Sequence, residues 1–175
     1  MTMKGKLTVR EMALFGMLGA LMFASKMLME VLPNIHLLGM LTMLYTLVFR
    51  KKALIPLYLY ILINGVYAGF SVWWLPYLYV WTVLWGVTML LPKKMPRAVM
   101  CVVYPVVCCL HGLLFGVLYA PAQALLFGMN FQQTLAWIAA GFPFDVTHGI
   151  SNLVMGLLIV PLRELLLKLL KTPAQ

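Results

Sequence analysis

"RKKALIPLYLYILINGVYAGFSVWW", residues 50–74, holds the pattern that decides the fold: three cations, a long apolar run, then a pair of tryptophans. The apolar part, residues 53–70, is too hydrophobic to be a solvated loop. Cations at one end and tryptophans at the other mark a membrane-spanning helix with a cytoplasmic basic flank and an aromatic outer end.

The same unit recurs along the chain. Of 175 residues, 64% are hydrophobic and only 10% charged, whereas a soluble domain carries about 25% charged residues. The chain reads as an integral membrane protein. Its net charge of +9 raises nucleic acid as a partner, but the cations are not spread over one face. They gather between apolar spans as Lys4, Lys6 and Arg10; Arg50, Lys51 and Lys52; Lys93, Lys94 and Arg97; and Arg163, Lys168 and Lys171. That spacing is a topology signal, in which cytoplasmic loops collect Lys and Arg, and it excludes a nucleic-acid interface.

Counting between clusters predicts six transmembrane helices in one compact bundle, a single all-α domain over residues 1–175 with both termini cytoplasmic. The spans are residues 11–29, 36–49, 53–70, 75–91, 98–119 and 143–162. Outer turns fall at Glu30, Pro33 and Asn34, and at residues 71–74. Spans two and four are shorter than the ~20 residues of an untilted crossing. The apolar segment 122–140 is left over. As a seventh span it would place the C-terminal cations outside, and it carries Gln123, Asn130, Gln132 and Gln133, which are costly in lipid. It reads as an extended outer loop with helical character between helices five and six. The N-terminus has the cations of a signal peptide, but Glu11 interrupts the junction and no small-residue cleavage site follows, so the first span is expected to remain.

Small residues mark close helix contacts. Gly16, Ala20 and Ala24 recur every fourth residue in span one, Gly65 and Gly69 lie in span three, and Gly112, Gly116 and Ala120 lie in span five. In spans three and five internal packing is expected. In span one, a surface kept flat for a partner protein is equally compatible. Cys101, Cys108 and Cys109 match no metal spacing, and no disulfide is expected.

The polar constellation lies in "GFPFDVTHGISN", residues 141–152. Pro143 suits the first turn of a helix, and Asp145 would then sit at the positive end of its dipole. His148 and Asn152 follow at i+3 and i+7, on the same face. Capping accounts for Asp145 but not for two polar groups deeper in the span, which point to a cavity or a partner. Trp73, Trp74 and Tyr77 form a candidate aromatic shelf at the same outer level, with Tyr119 and Gln123 near it and Lys26, Glu30, Asn34 and His36 around the first outer turn. The candidate substrate-binding set is Trp73, Trp74, Tyr77, Asp145, His148 and Asn152, suited to a planar, nitrogen-containing ring with donors and acceptors. No phosphate loop, HExxH pair or nucleophile triad appears, so no enzyme activity, cofactor or resident metal is expected.

The length, the six spans, the Gly16/Ala20/Ala24 stripe and the "PFDVTHGISN" approach to the last helix together resemble the S components of energy-coupling factor (ECF) transporters. The resemblance implies a prokaryotic, multi-pass plasma-membrane protein that captures a vitamin-like micronutrient from outside. It further implies association with a T component and two ATPases, with Gly16, Ala20 and Ala24 at the T-component contact and delivery inward by toppling. Two other classes stay open: a stand-alone oligomeric transporter or channel, and a metal-binding protein or intramembrane enzyme centred on Asp145 and His148, with His111 as a further metal ligand.

Overall fold

The computed structural model describes residues 7–32 and 34–171; Lys4, Lys6 and Pro33 lie outside them. The described residues form eight α-helices and no strand: α1 (Val9–Leu28), α2 (Leu38–Phe49), α3 (Leu54–Ala68), α4 (Tyr77–Leu90), α5 (Arg97–Leu113), α6 (Phe115–Phe127), α7 (Phe131–Gly156) and α8 (Ile159–Lys171), with a 3-10 turn, Arg50–Ala53, between α2 and α3. Two stretches, Val9–Leu28 and Arg97–Phe127, are long and apolar enough to cross a membrane.

α2 is the centre of the fold. Every residue from Leu38 to Thr46 is buried, as expected for a helix that is hydrophobic all round. Around it lie Met22 of α1, Leu57, Tyr60 and Ile61 of α3, Trp81 and Leu84 of α4, Tyr104 and Cys108 of α5, and Ile159 and Val160 of α8.

The basic clusters meet at one end of the bundle. Lys52 pairs with Glu11 at the start of α1, and the Arg50 guanidinium donates to the Met89 carbonyl near the end of α4 at 2.8 Å. Arg97, opening α5, pairs with Glu164 of α8 at 3.2 Å. The aromatic turn between α3 and α4 meets α6 instead, where the Tyr119 hydroxyl donates to the Trp73 carbonyl at 2.8 Å.

Glycines hold α7 close against α5 and the start of α6. A Cβ on Gly112 would lie 2.8 Å from the Gly149 backbone, one on Gly156 would lie 2.7 Å from Pro105, and one on Gly116 would lie 2.4 Å from the Asp145 carboxylate. This is the internal packing expected of span five. In span three only Gly65 packs internally, against Phe70 and Trp74; Gly69 ends α3 with φ +91 and has open space around it.

Three sequence expectations are corrected. Residues 122–140 are not a loop: residues 122–127 complete α6, Gly128 turns in the left-handed region, and α7 begins at Phe131. Its start is fixed by a capping box in which Asn130 accepts from the Gln133 amide at 2.9 Å and Gln133 accepts from the Asn130 amide at 2.8 Å. Pro143 therefore lies inside α7 rather than in a first turn, leaving the Ala139 carbonyl without its helical donor. The expected sixth span also breaks at Leu157, where Pro161 cannot supply the N–H that would continue the ladder.

Candidate functional site

The three histidines of the chain come from distant positions, yet their rings converge. His36 precedes α2, His111 is in the last turn of α5, and His148 is in the second half of α7. With Phe115 and Trp81 they close a circuit of five rings. Successive centroid separations are 4.5 Å from His36 to His148, 4.8 Å to Phe115, 6.1 Å to His111, 5.5 Å to Trp81 and 5.8 Å back to His36. Edge-on and tilted geometries of this kind suit aromatic quadrupoles.

Three rings of this circuit, those of His36, Phe115 and His148, form one side of a partly polar cavity of about 190 Å³, which is also lined by Tyr77 and, toward the α1–α2 turn, by Lys26, Glu30 and Asn34. His148 is only 2% exposed. One ring nitrogen in each histidine, and the Trp81 indole N–H, are buried without a hydrogen-bond partner within the protein. An unsatisfied buried polar group costs about 1–3 kcal/mol. Of these four, the nitrogens of His36 and His148 belong to residues that line the cavity, where a polar occupant could meet them. At the mouth, Lys26 and Glu30 pair at 2.9 Å across one helical turn.

The six residues expected to bind substrate divide. Tyr77 and His148 line the cavity. Asp145 does not: both carboxylate oxygens accept from the Gly116 amide at 3.1 Å. The near-continuous α5–α6 rod breaks at Leu114, and Asp145 supplies from α7 the acceptor that the first turn of α6 lacks. The capping expected of Asp145 at the start of its own helix does not hold, because Asp145 lies inside α7; its carboxylate caps α6 instead. The carboxylate borders a separate cleft between α6 and α7, with Tyr119, Gln123 and Trp137.

Asn152 is fully buried beside Gly39 and donates to the Cys108 carbonyl at 3.2 Å, tying α7 to α5. Trp73 and Trp74 do not form a shelf. The Trp74 indole donates to the Ile61 carbonyl at 2.8 Å and its ring packs edge-on to Phe70, which fastens the α3–α4 turn. Trp73 stands edge-on to Tyr77 at 5.6 Å. Trp73, Trp74 and Asn152 line neither cavity.

The sequence assigns no role to Trp81 or Phe115; it links His111 to His148 only in the alternative metal reading and sets His36 only near the first outer turn. The available signal was that all three histidines lie away from the basic clusters. Among the described residues, no group of three or more His, Cys, Asp or Glu side chains converges as a metal ion would require. Asp145, which the alternative metal reading pairs with His148, accepts from the Gly116 amide instead.

The Gly16/Ala20/Ala24 face of α1 points outward. Phe15, Gly19, Met22 and Ser25 make the inward face, with Gly19 set against Leu59 of α3. Ala20 and Ala24 are exposed, and a Cβ on Gly16 would meet nothing within 4 Å. No protein-family model, no curated protein and no solved structure matches the chain.

Proposed function

We propose that the chain is the substrate-binding S component of an ECF-type importer, which captures a small planar micronutrient and delivers it through a T component and two ATPases. The observation that carries this reading is the ring-walled polar cavity at the end of the bundle away from the basic clusters, with the buried, unpartnered edge of His148 in its wall.

Reading the basic end as cytoplasmic follows the positive-inside rule. Six crossings then consist of α1, α2, α3, α4, the α5–α6 rod, and α7 continued by α8, which returns the C-terminal end to the side of Arg10. Exposed Val66, Leu90, Leu125, Phe131 and Leu157 supply a lipid-facing exterior. The cavity then opens outward, and the α6–α7 hairpin stands beyond it on the same side. The bare small-residue face of α1 supports docking to a membrane partner, because close backbone approach is what drives helix association in lipid.

The test is co-purification from cells that also express an ECF module. The unaltered chain is expected to recover a T component and ATPases. Gly16→Leu with Ala20→Leu is expected to abolish recovery while leaving the fold intact, since both positions face open space. Retention of the full complex by that variant would refute the assigned interface. Failure of the unaltered chain to recover any ATPase, together with uptake by the lone protein in liposomes, would favour the stand-alone transporter.

A further inference from the structure

The walls of the cavity restrict the class of solute, on the assumption that it is the capture site just described. Size is the first constraint. Pockets for drug-sized ligands run to about 300–1,000 Å³, and a cavity of about 150 Å³ accepts benzene. At about 190 Å³ the site holds one substituted ring or a compact fused pair.

Shape is the second. Tyr77, Phe115, His36 and His148 present rings on several sides, which suits a flat occupant. Charge is the third. The charged residues lining the cavity are Lys26 and Glu30, already matched to each other at 2.9 Å. A solute with net charge would find no unmatched opposite charge in the lining and would carry its own charge uncompensated against the rings, which is costly. The last constraint is the buried imidazole edge. Neutral imidazole offers one donor and one acceptor, so two neighbouring rings can read an edge that also carries both.

We infer that the cavity selects an uncharged, monocyclic or compact bicyclic heteroaromatic with a donor and an acceptor side by side, as in a carboxamide, a lactam or an amino-substituted ring nitrogen, read by His36 and His148. Lys26 and Glu30 act together as a charge filter: each cancels the other, so neither attracts an ion.

The experiment is calorimetric titration of the full-length protein in detergent, stripped of co-purifying solutes by mild unfolding and refolding. Nicotinamide and adenine serve as neutral compact probes, nicotinate as an anion of the same ring, and riboflavin as a larger fused ring. At least one neutral probe is expected to saturate, with nicotinate and riboflavin weaker by about 100-fold or more. His36→Phe, which keeps a ring and removes its nitrogens, is expected to weaken the neutral probe about tenfold or more, with unchanged thermal unfolding as the control. Glu30→Gln leaves Lys26 unmatched and is expected to raise nicotinate affinity about five- to tenfold relative to that of the neutral probe.

Tighter binding of nicotinate or riboflavin than of either neutral probe would overturn the inference. So would failure of both neutral probes at millimolar concentration. Either result leaves the importer reading to its own test, because recovery of the T component and ATPases does not depend on these probes.

Discussion

Gly112→Ala tests the seam on which the candidate site rests. The added methyl would lie 2.8 Å from the Gly149 Cα, the Gly149 nitrogen and the His148 carbonyl oxygen. All three are backbone atoms, so no side-chain rotation relieves the contact. Carbon atoms settle at about 3.5–4.0 Å, so α5 and α7 must part locally by about 1 Å. One turn to either side lie the Gly116–Asp145 bonds at 3.1 Å and the Asn152–Cys108 bond at 3.2 Å. The same displacement takes both beyond the usual limit of about 3.2 Å. Overpacking costs about 1–3 kcal/mol, and losing these bonds adds a comparable amount, so the destabilisation is of order 4 kcal/mol. That is a large share of the ~5–15 kcal/mol that typically separates folded from unfolded protein. Thermal unfolding in detergent, followed by tryptophan fluorescence, is the assay. The control is Gly16→Ala, where the methyl meets open space and the substitution is neutral or stabilising by about 0.5–1 kcal/mol. If Gly112→Ala unfolds at the temperature of Gly16→Ala, the close α5–α7 contact is wrong.

Two other substitutions probe separate parts of the fold. Gly65→Ala places a methyl 2.3 Å from the Phe70 ring and 2.7 Å from the Trp74 indole nitrogen. It should pull Trp74 off the Ile61 carbonyl, shift tryptophan emission to the red and cost about 1–3 kcal/mol; unchanged emission would contradict the inward placement of Trp74. Asn130→Ala removes the side-chain oxygen that accepts from the Gln133 amide at the start of α7 and should cost about 1 kcal/mol. Hydrogen exchange should rise in residues 131–134 and stay level near His148, whereas no local change would argue that α7 starts elsewhere.

The helical character of the chain and the gathering of its cations were legible in the sequence because hydropathy and charge are read one segment at a time. The ties of Glu11 to Lys52, Arg50 to Met89 and Arg97 to Glu164 bring together clusters that the sequence had already separated from the apolar runs. The sequence misleads about the start of α7 because Pro143 suits a helix opening as well as an interior kink. Apolar helices tolerate internal proline when neighbouring groups satisfy the backbone. The Asn130–Gln133 box, thirteen residues earlier by numbering, was the better signal. The histidine circuit was beyond reach for a different reason. In a helix such as α2, apolar on every side, periodicity does not fix rotation about the axis. The meeting of His36, His111 and His148 depends on the rotations and heights of several segments at once, and small-residue contacts such as Gly112 on Gly149 set those.

Asp145, His148 and Asn152 share one face of α7, yet they serve different purposes, and what stands opposite each decides which. Asp145 faces Gly116, whose amide is left without a donor's usual helical acceptor by the break at Leu114, and the carboxylate completes that helix start. Asn152 faces the Cys108 carbonyl, which has a lone pair to spare, and the amide becomes a tie between helices. His148 faces rings: His36 and Phe115 offer its edge no fixed partner within the protein. The two polar residues that find backbone partners hold α5, α6 and α7 in register above and below the third. A ligand at His148 therefore meets a wall whose position is set by the ties at Asp145 and Asn152. Changes at those two positions should reach binding through the stability and spacing of the helices, while changes at His148 and His36 should reach it through direct contact.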